Sequence, residues 1–391
     1  MALVLGSSRS IRDRGERVSN AMDFRPTAEQ ALLKSTARKL AEECFRASAF
    51  KWKGEYPQAN EKFLREQGFY GVSLPQEYGG GGLTLLEELL ILEEVGRVCP
   101  DTASLLTLSG PPRIIAEIGS VRLKRKYLPA FCHDGQKIGI AISEAEAGSA
   151  VTELRSKARV DGSKVVVDGG KIFISHAEVC ATFLTFVKFD DGIGAVLIDR
   201  GAPGFQLGKP DINMAGHRQH SLFFDGCEIP AENILTHGKD AFKRLIQAFN
   251  AERCLSAAWA VSIALCAFDF AVEYARQRKQ FGRRIGDFQG IQWMLAEMAM
   301  KIEAARLLAY QAAMEPTRLK SSLAKAMAGE MVEKVTSDAL QIFGGYGYMR
   351  EHPAEYLYRL ARGRRIAGGT VEVQKNMVAD ELLRKGLNRE E

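Results

Sequence analysis

One carboxylate, Glu252, stands among residues laid out to hide apolar surface. From Asp240 the chain reads DAFKRLIQAFNAERCLSAAWAVSIALCAFDFAVEYARQR, and Phe242, Leu245, Phe249, Ser256 and Trp259 recur at three- and four-residue helical spacing with Glu252 in the same stripe. A carboxylate among core side chains is costly unless something pairs with it or uses it. Arg253 is not that partner, because adjacent helical residues point to different faces. Two roles fit. Glu252 is either a structural carboxylate, satisfied by a distant Arg or Lys or lying at the wet edge of the stripe, or a base whose pKa desolvation raises toward that of a weakly acidic proton donor. The helix alone favours the structural role.

The helix belongs to the last of three blocks. Residues 22 to 135 read as an all-α domain: TAEQALLKSTARKLAEECF opens with Thr27 and Glu29 at a cap, and LTLLEELLILEEVGRV is helical in period. Between them, four glycines from Gly79 end one element and turn the chain, without the Lys and Ser/Thr of a phosphate loop. Residues 136 to 238 change to short β-branched and aromatic runs such as KIGIAIS, SKVVVDGG, TFLTFVKFDDG and SLFFDGCEIP. Turn pairs Asp161-Gly162 and Asp191-Gly192, with Pro230 closing the block, predict a compact antiparallel, β-barrel-like domain. Residues 239 to 391 return to long helices, including IQWMLAEMAMKIEAARLLAYQAAM and LAKAMAGEMVEKVTSDALQIF, and suggest an antiparallel four-helix bundle. The fold class is α+β multidomain, in the order α domain, β domain, α bundle.

Composition bounds the function. The chain has 391 residues, 46% hydrophobic, with 53 Lys and Arg against 48 Asp and Glu, a balance too mild for a nucleic-acid surface. Cys44, Cys99, Cys132, Cys180, Cys227, Cys254 and Cys266 are odd in number and free of CxxC spacing, which points to a reducing compartment and to no structural metal. His217 and His220 read as a loop pair, and no metal site is expected. No apolar run approaches the roughly eighteen residues of a membrane span, so no membrane insertion is expected. Residues 1 to 21, rich in Arg and Ser but interrupted by Asp13 and Glu16, read as a poorly ordered extension, with Met22 as an alternative start. The expected location is cytoplasmic, or the mitochondrial matrix if the source is eukaryotic.

Five segments in this order carry a resemblance: AISEAEAGSA (141 to 150), GGKIFIS (169 to 175), RQRKQFGRRIGDFQGIQ (276 to 292), QIFGGYGY (341 to 348) and IAGGTVEVQ (366 to 374). From residue 22 onward the chain resembles an acyl-CoA dehydrogenase. The resemblance implies a homotetrameric or homodimeric flavoprotein that holds FAD between the β domain and the bundle, oxidises an acyl thioester of CoA or of an acyl carrier protein to the 2,3-enoyl product, and passes electrons to an electron-transfer flavoprotein.

By the same resemblance, Ile142 supplies backbone hydrogen bonds to the flavin, Ser143 a hydroxyl, and Ser149 a contact to pantetheine or flavin. Phe173 covers the flavin and Ser175 sits near its reactive nitrogen. Arg278, Phe281 and Gln289 match residues that hold the pyrophosphate and adenine side across a subunit interface, where a guanidinium suits a diphosphate. Gln341 and Gly345 match a further strip of that site, and Thr370 and Glu372 the last FAD contacts. Arg253 matches an arginine that shapes the substrate pocket; a structural ion pair is its alternative.

The sequence departs from the family at Gly368. Many members carry their catalytic glutamate there, one residue before Gly-Thr, whereas this chain reads Ala-Gly-Gly-Thr. A subset that includes isovaleryl-CoA dehydrogenase places the glutamate on the bundle helix before an Arg, as Glu252-Arg253 does. Read with Gly368, Glu252 becomes the catalytic base, and the Gly368 backbone N–H stays available to polarise the thioester carbonyl. Ala145, Ala150 and Leu360 depart from the common Pro, Asp and Asp. Gly-Ser-Ala at 148 to 150, FQGIQWM and IAGGT also resemble 3-sulfinopropionyl-CoA desulfinases, non-oxidative members that lack the glutamate base. In this chain CPDTASLLTLSG offers no Arg to hold a sulfinate, and that reading is the alternative. A non-enzymatic flavin-binding relative would need a basic face, for which Arg359, Arg362, Arg364 and Arg365 are the candidate. Leu105, Leu106 and Leu108 suggest an apolar pocket wall.

Overall fold

The computed structural model describes residues 25–387; the extension at 1 to 21 and Met22 lie outside the described residues. Six helices come first: α1 (Ala28–Cys44), α2 (Gln58–Glu66), α3 (Leu85–Val98), α4 (Pro100–Leu106), α5 (Gly110–Ile118) and α6 (Val121–Cys132). The α1 cap forms at Thr27 as its sequence signals, but the reciprocal partner is Gln30, three residues on, and not Glu29. Thr84 and Glu87 close the same box on α3.

Eight strands follow: β1 (Lys137–Ala141), β2 (Lys157–Asp161), β3 (Lys164–Ser175), β4 (Cys180–Phe189), β5 (Gly192–Asp199), β6 (Phe205–Ile212), β7 (Arg218–Pro230) and β8 (Ile234–Thr236). They form one sheet in the order β6-β7-β3-β2-β4-β5-β8, with β1 added on β4. The expectation of purely antiparallel pairing is corrected at β1. β1 lies parallel to β4 and the strand path has two ends, so the sheet is mixed and open. Turn residues reveal only hairpins; a parallel pair needs a long crossover, here through β2 and β3, and leaves no local mark. His220 also departs from its loop reading, being buried on β7 with Nδ1 2.9 Å from the Gly208 carbonyl.

The bundle is α7 (Ala241–Gln277), α8 (Gln289–Met314), α9 (Arg318–Phe343), α10 (Pro353–Arg362) and α11 (Val371–Lys385). Between α7 and α8 a short hairpin, β9 (Lys279–Gln280) and β10 (Arg283–Arg284), turns at Phe281 and Gly282, both at positive φ. α7 is the axis of the molecule, touching α3, α5, α8, α9 and α10. An 18-residue stretch of it is apolar and long enough to cross a membrane, contrary to the sequence reading, but 72% of that stretch is buried inside the protein. Its alanines, among them Ala257, Ala260, Ala264 and Ala271, let neighbouring helices close on every side, so the apolar surface is a cylinder and not a stripe. Each fully buried Leu or Ile on it, such as Leu255 and Ile263, contributes roughly 1.5–3 kcal/mol.

Candidate active site

From Ala248 to Ala267, Glu252 is the one residue of α7 that is not fully buried. Its carboxylate reaches out of the packed cylinder against the start of α5. A Cβ on Gly110 would lie 1.7 Å from Oε2, so no side chain fits there. The start of a helix normally offers N–H donors that hold a carboxylate ionised. Here they are withdrawn: Pro111 and Pro112 have no N–H, and that of Gly110 is taken by the Thr107 carbonyl. Oε2 is accordingly buried with no hydrogen-bond partner.

Burial, and next the charge of Glu88, push the Glu252 pKa up to about 7, against the pull of Arg364, Lys325 and Arg253. Glu88, on α3 and 3% exposed, is itself held by Ser73, by Ser109 Oγ at 2.5 Å and by Arg113 at 2.9 Å. Glu88→Gln removes a negative charge and frees Arg113 to act on the site. The acid limb of the rate profile is expected to move to lower pH by at least about half a unit, and the protein to lose about 3 kcal/mol or more as the buried pair is broken. Rate-against-pH curves and urea melts measure both, and an unmoved limb would show that Glu88 does not act on Glu252.

Opposite Glu252 stands Gly368, exposed and at φ +70°, a conformation suited to glycine. A Cβ there would meet Ser256 Oγ at 3.9 Å and Lys325 Cε at 3.8 Å. Ser256 is one helical turn beyond Glu252, so the two positions face one cleft from opposite walls. Among the described residues the Gly368 N–H has no acceptor.

The same wall carries cations that sequence reading did not assign. Lys325, on α9 and 1% exposed, donates to the Arg364 carbonyl at 2.7 Å, and burial lowers its pKa to about 7. The Arg364 guanidinium lies 4.0 Å from the centre of the Trp259 ring, its Nε is buried without a partner, and burial lowers its pKa to about 10. The signal for Lys325 was present: in SSLAKAMAGE it is the only long polar side chain before Glu330, surrounded by packing-sized residues. Nothing local set Arg364 apart from the other arginines of its cluster. Arg359 is tied to Glu355, and both Arg362 and Arg365 to Glu333, so the cluster makes no common basic face. His176, at positive φ, is also drawn in; burial, then His217, Arg364 and Lys137, lower its pKa to about 4.

Arg253 is 5% exposed and donates to Asn250 Oδ1 at 2.7 Å and the Ile246 carbonyl at 3.3 Å, so its hydrogen bonds stay on its own helix. Leu105 and Leu106 are buried in the main core and Leu108 packs against it.

The structure gathers the flavin candidates into two groups. Ile142 and Ser143 follow β1; the Ser143 carbonyl accepts from Ile172 N–H at 2.9 Å and that of Ile142 from Lys171 Nζ at 3.1 Å. Buried Glu144 clamps this turn to Lys171, Arg155 N–H and Ser156 N–H. Phe173 stands beside it at positive φ and 62% exposed, with Ser175 exposed two residues on. Ser149 is exposed in the same loop.

The second group surrounds an open groove of about 560 Å³, lined among others by Arg278, Phe343, Gly344, Gly345 and Tyr346. Arg278 lies 5.7 Å from the Tyr346 ring, and an added Cβ at Gly344 or Gly345 would meet nothing. Gln341 is exposed near the end of α9, Gln289 opens α8, and Phe281 is 92% exposed at the hairpin tip. Neither Glu252 nor Gly368 lines this groove. Thr370 caps α11 by accepting from Val373 N–H at 3.2 Å, and Glu372 pairs with Arg365 at 3.4 Å. An exposed aromatic beside backbone donors, and a guanidinium over a glycine-lined groove, fit a ring system and a diphosphate. Among the described residues no His, Cys, Asp and Glu cluster could hold a metal.

Three family models match in succession: the acyl-CoA dehydrogenase N-terminal domain over residues 27–134, the middle domain over 139–227 and the C-terminal domain over 240–383. This chain belongs to the acyl-CoA dehydrogenase family. It is 35% identical to the acryloyl-CoA reductase (NADH) of Anaerotignum propionicum, covering 93% of this chain and 97% of the relative. It is 36% identical to the 3-sulfinopropanoyl-CoA desulfinase of Advenella mimigardefordensis, over 91% and 94%. The butyryl-CoA dehydrogenase structure from Megasphaera elsdenii superposes with a TM-score of 0.87 at 30% identity, over 93% of this chain and all of that one. The chain is thus an enzyme of a family acting on CH–CH bonds, with the acyl-CoA dehydrogenase fold and FAD as its cofactor.

Proposed function

We propose that this protein dehydrogenates an acyl-CoA across its α and β carbons, with Glu252 as the α-proton base. The observation that carries the proposal is the unpaired, desolvated Glu252 carboxylate facing the cleft opposite Gly368. The α-proton of a thioester is too weakly acidic for an ordinary carboxylate, and a base whose pKa is raised to about 7 narrows that gap. The free N–H of Gly368 would hold the thioester carbonyl where negative charge develops. The Ile142–Ser143 turn, Phe173, Ser175 and Thr370 would hold the flavin ring, and Arg278, Gly345, Gln341, Phe281, Gln289 and Glu372 the remainder of FAD. Bound FAD supplies the hydride acceptor. We extend the proposal to an electron-transfer flavoprotein as the electron partner and to a cytoplasmic location, which seven unpaired cysteines support.

Anaerobic titration with a panel of acyl-CoAs, following flavin absorbance, tests the reaction. Bleaching is expected with the right chain. Product release without bleaching would instead favour a desulfinase-like, non-oxidative reaction.

The homo-oligomer is supported by α8, where Trp293, Met300, Leu307 and Met314 recur every seven residues at 44% exposure or more. Such a stripe suits a second helix. Met300→Glu with Leu307→Glu is expected to shift the protein to monomer in sedimentation. If Arg278, Phe281 and Gln289 hold FAD across the interface, FAD affinity falls at least about tenfold. An unchanged sedimentation coefficient would remove α8 from the interface.

A further inference from the structure

Beyond Glu252 the cleft ends in two cations without a counterion. Ser256 and Trp259 lie one and two turns further along the same face of α7. Trp259 is 6% exposed and pinned by its Nε1–H to the Pro100 carbonyl at 3.0 Å. With the Arg364 guanidinium stacked on its ring, it stands about 10 Å along the helix from Glu252.

Lys325 completes it. Its ammonium has three donors and makes one hydrogen bond, to a backbone carbonyl, while Arg364 leaves Nε without an acceptor. Among the described residues no carboxylate lies within 4.0 Å of either cation, Glu252 included. After burial, the charge of Arg364 is the next cause that lowers the Lys325 pKa, so the two cations repel. Burying such a pair is costly unless an anion joins it. The chain offers Glu252 as the nearest acid, yet holds it apart. A Cβ at Gly368 would stand 3.8 Å from Lys325 Cε, so the lysine stem packs directly behind the glycine.

We propose that Lys325 and Arg364 bind an oxyanion at the far end of the acyl group, selecting short acyl-CoAs that carry a terminal carboxylate or sulfinate. This rests on the reading of the Glu252 cleft as the acyl site. Lys325 acts as a point charge and Arg364 as a fork, so together they suit a group with two oxygens.

The test is calorimetric binding to the FAD-loaded protein of succinyl-CoA, glutaryl-CoA and 3-sulfinopropanoyl-CoA, against butyryl-CoA and valeryl-CoA. CoA's own charge is common to all five. At least one anionic ligand is expected to bind tenfold or more tighter than its neutral counterpart, and which one identifies the oxyanion. Lys325→Met, close to isosteric, and Arg364→Met are each expected to cut that ratio about tenfold; Lys325→Met suffices if the other variant fails to retain FAD. Equal binding of anionic and neutral ligands by the wild type overturns the proposal, as does a ratio that survives Lys325→Met. If the cations serve only to tune Glu252, the substitution moves the pH profile for every substrate and leaves the ratio intact. Because binding is read without turnover, a protein that prefers anionic ligands but never bleaches keeps this inference and loses the dehydrogenase.

Discussion

Glu252→Gln is expected to slow flavin reduction by acyl-CoA at least about a thousandfold while FAD and acyl-CoA remain bound. The amide fills the same space against Gly110 and keeps the α5 contact, but it cannot accept the α-proton. No neighbour replaces it: Glu88 is occupied by Ser73, Ser109 and Arg113, and Gly368 carries no side chain. Anaerobic stopped-flow absorbance reads the rate, and a variant that bleaches at the wild-type rate would falsify the assignment. The same substitution has a second signature. A Glu whose folded-state pKa is raised from 4.5 to about 7 contributes stability that is present below about pH 4.5 and lost as pH rises through about 7. Above that window Glu252→Gln is expected to be more stable than the wild type, by about 1–2 kcal/mol once its partial exposure to the cleft is discounted. Thermal melts at pH 4 and pH 8 separate this from a general packing effect, since the gain should vanish at the lower pH. Inactivation together with stabilisation is what a residue kept for chemistry predicts.

The wild-type enzyme should lose about 90-fold in kcat/KM between pH 8 and pH 5. The rate follows the ionised fraction of Glu252, which falls tenfold per pH unit below its pKa of about 7. A carboxylate at its ordinary 4.5 would leave the rate nearly flat over the same range. A profile flat to pH 5.5 would therefore mean that the carboxylate is solvated or paired when substrate binds. The direction rests on burial as the larger cause and Glu88 as the next, so the limb should shift with Glu88→Gln and keep its slope.

How far the sequence reaches differs from residue to residue. Glu252 was conspicuous because helical period and side-chain chemistry disagree at one position, and Gly368 because a motif lacked its side chain. Both are local facts. Thr27 was legible as a cap for the same reason, since a cap is decided within four residues. β1 beside β4 was not, because the pair is joined only through a crossover. Lys325 was given no role, although its packing-sized neighbours set it apart, and Arg364 counted as one of four arginines; that the two meet depends on α7, α9 and the turn after α10 coming together, which no single segment encodes.

By itself, the sequence determined the order of the domains, the family likeness and the two positions on which the proposed chemistry turns, because those are matters of residue type at short spacing. Only the tertiary structure decided that Glu252 has no hydrogen-bond donor, that Arg253 turns back to its own helix, and that two cations wall the cleft beyond it. Each of these depends on which groups from distant segments come within hydrogen-bond reach, and on which are kept out.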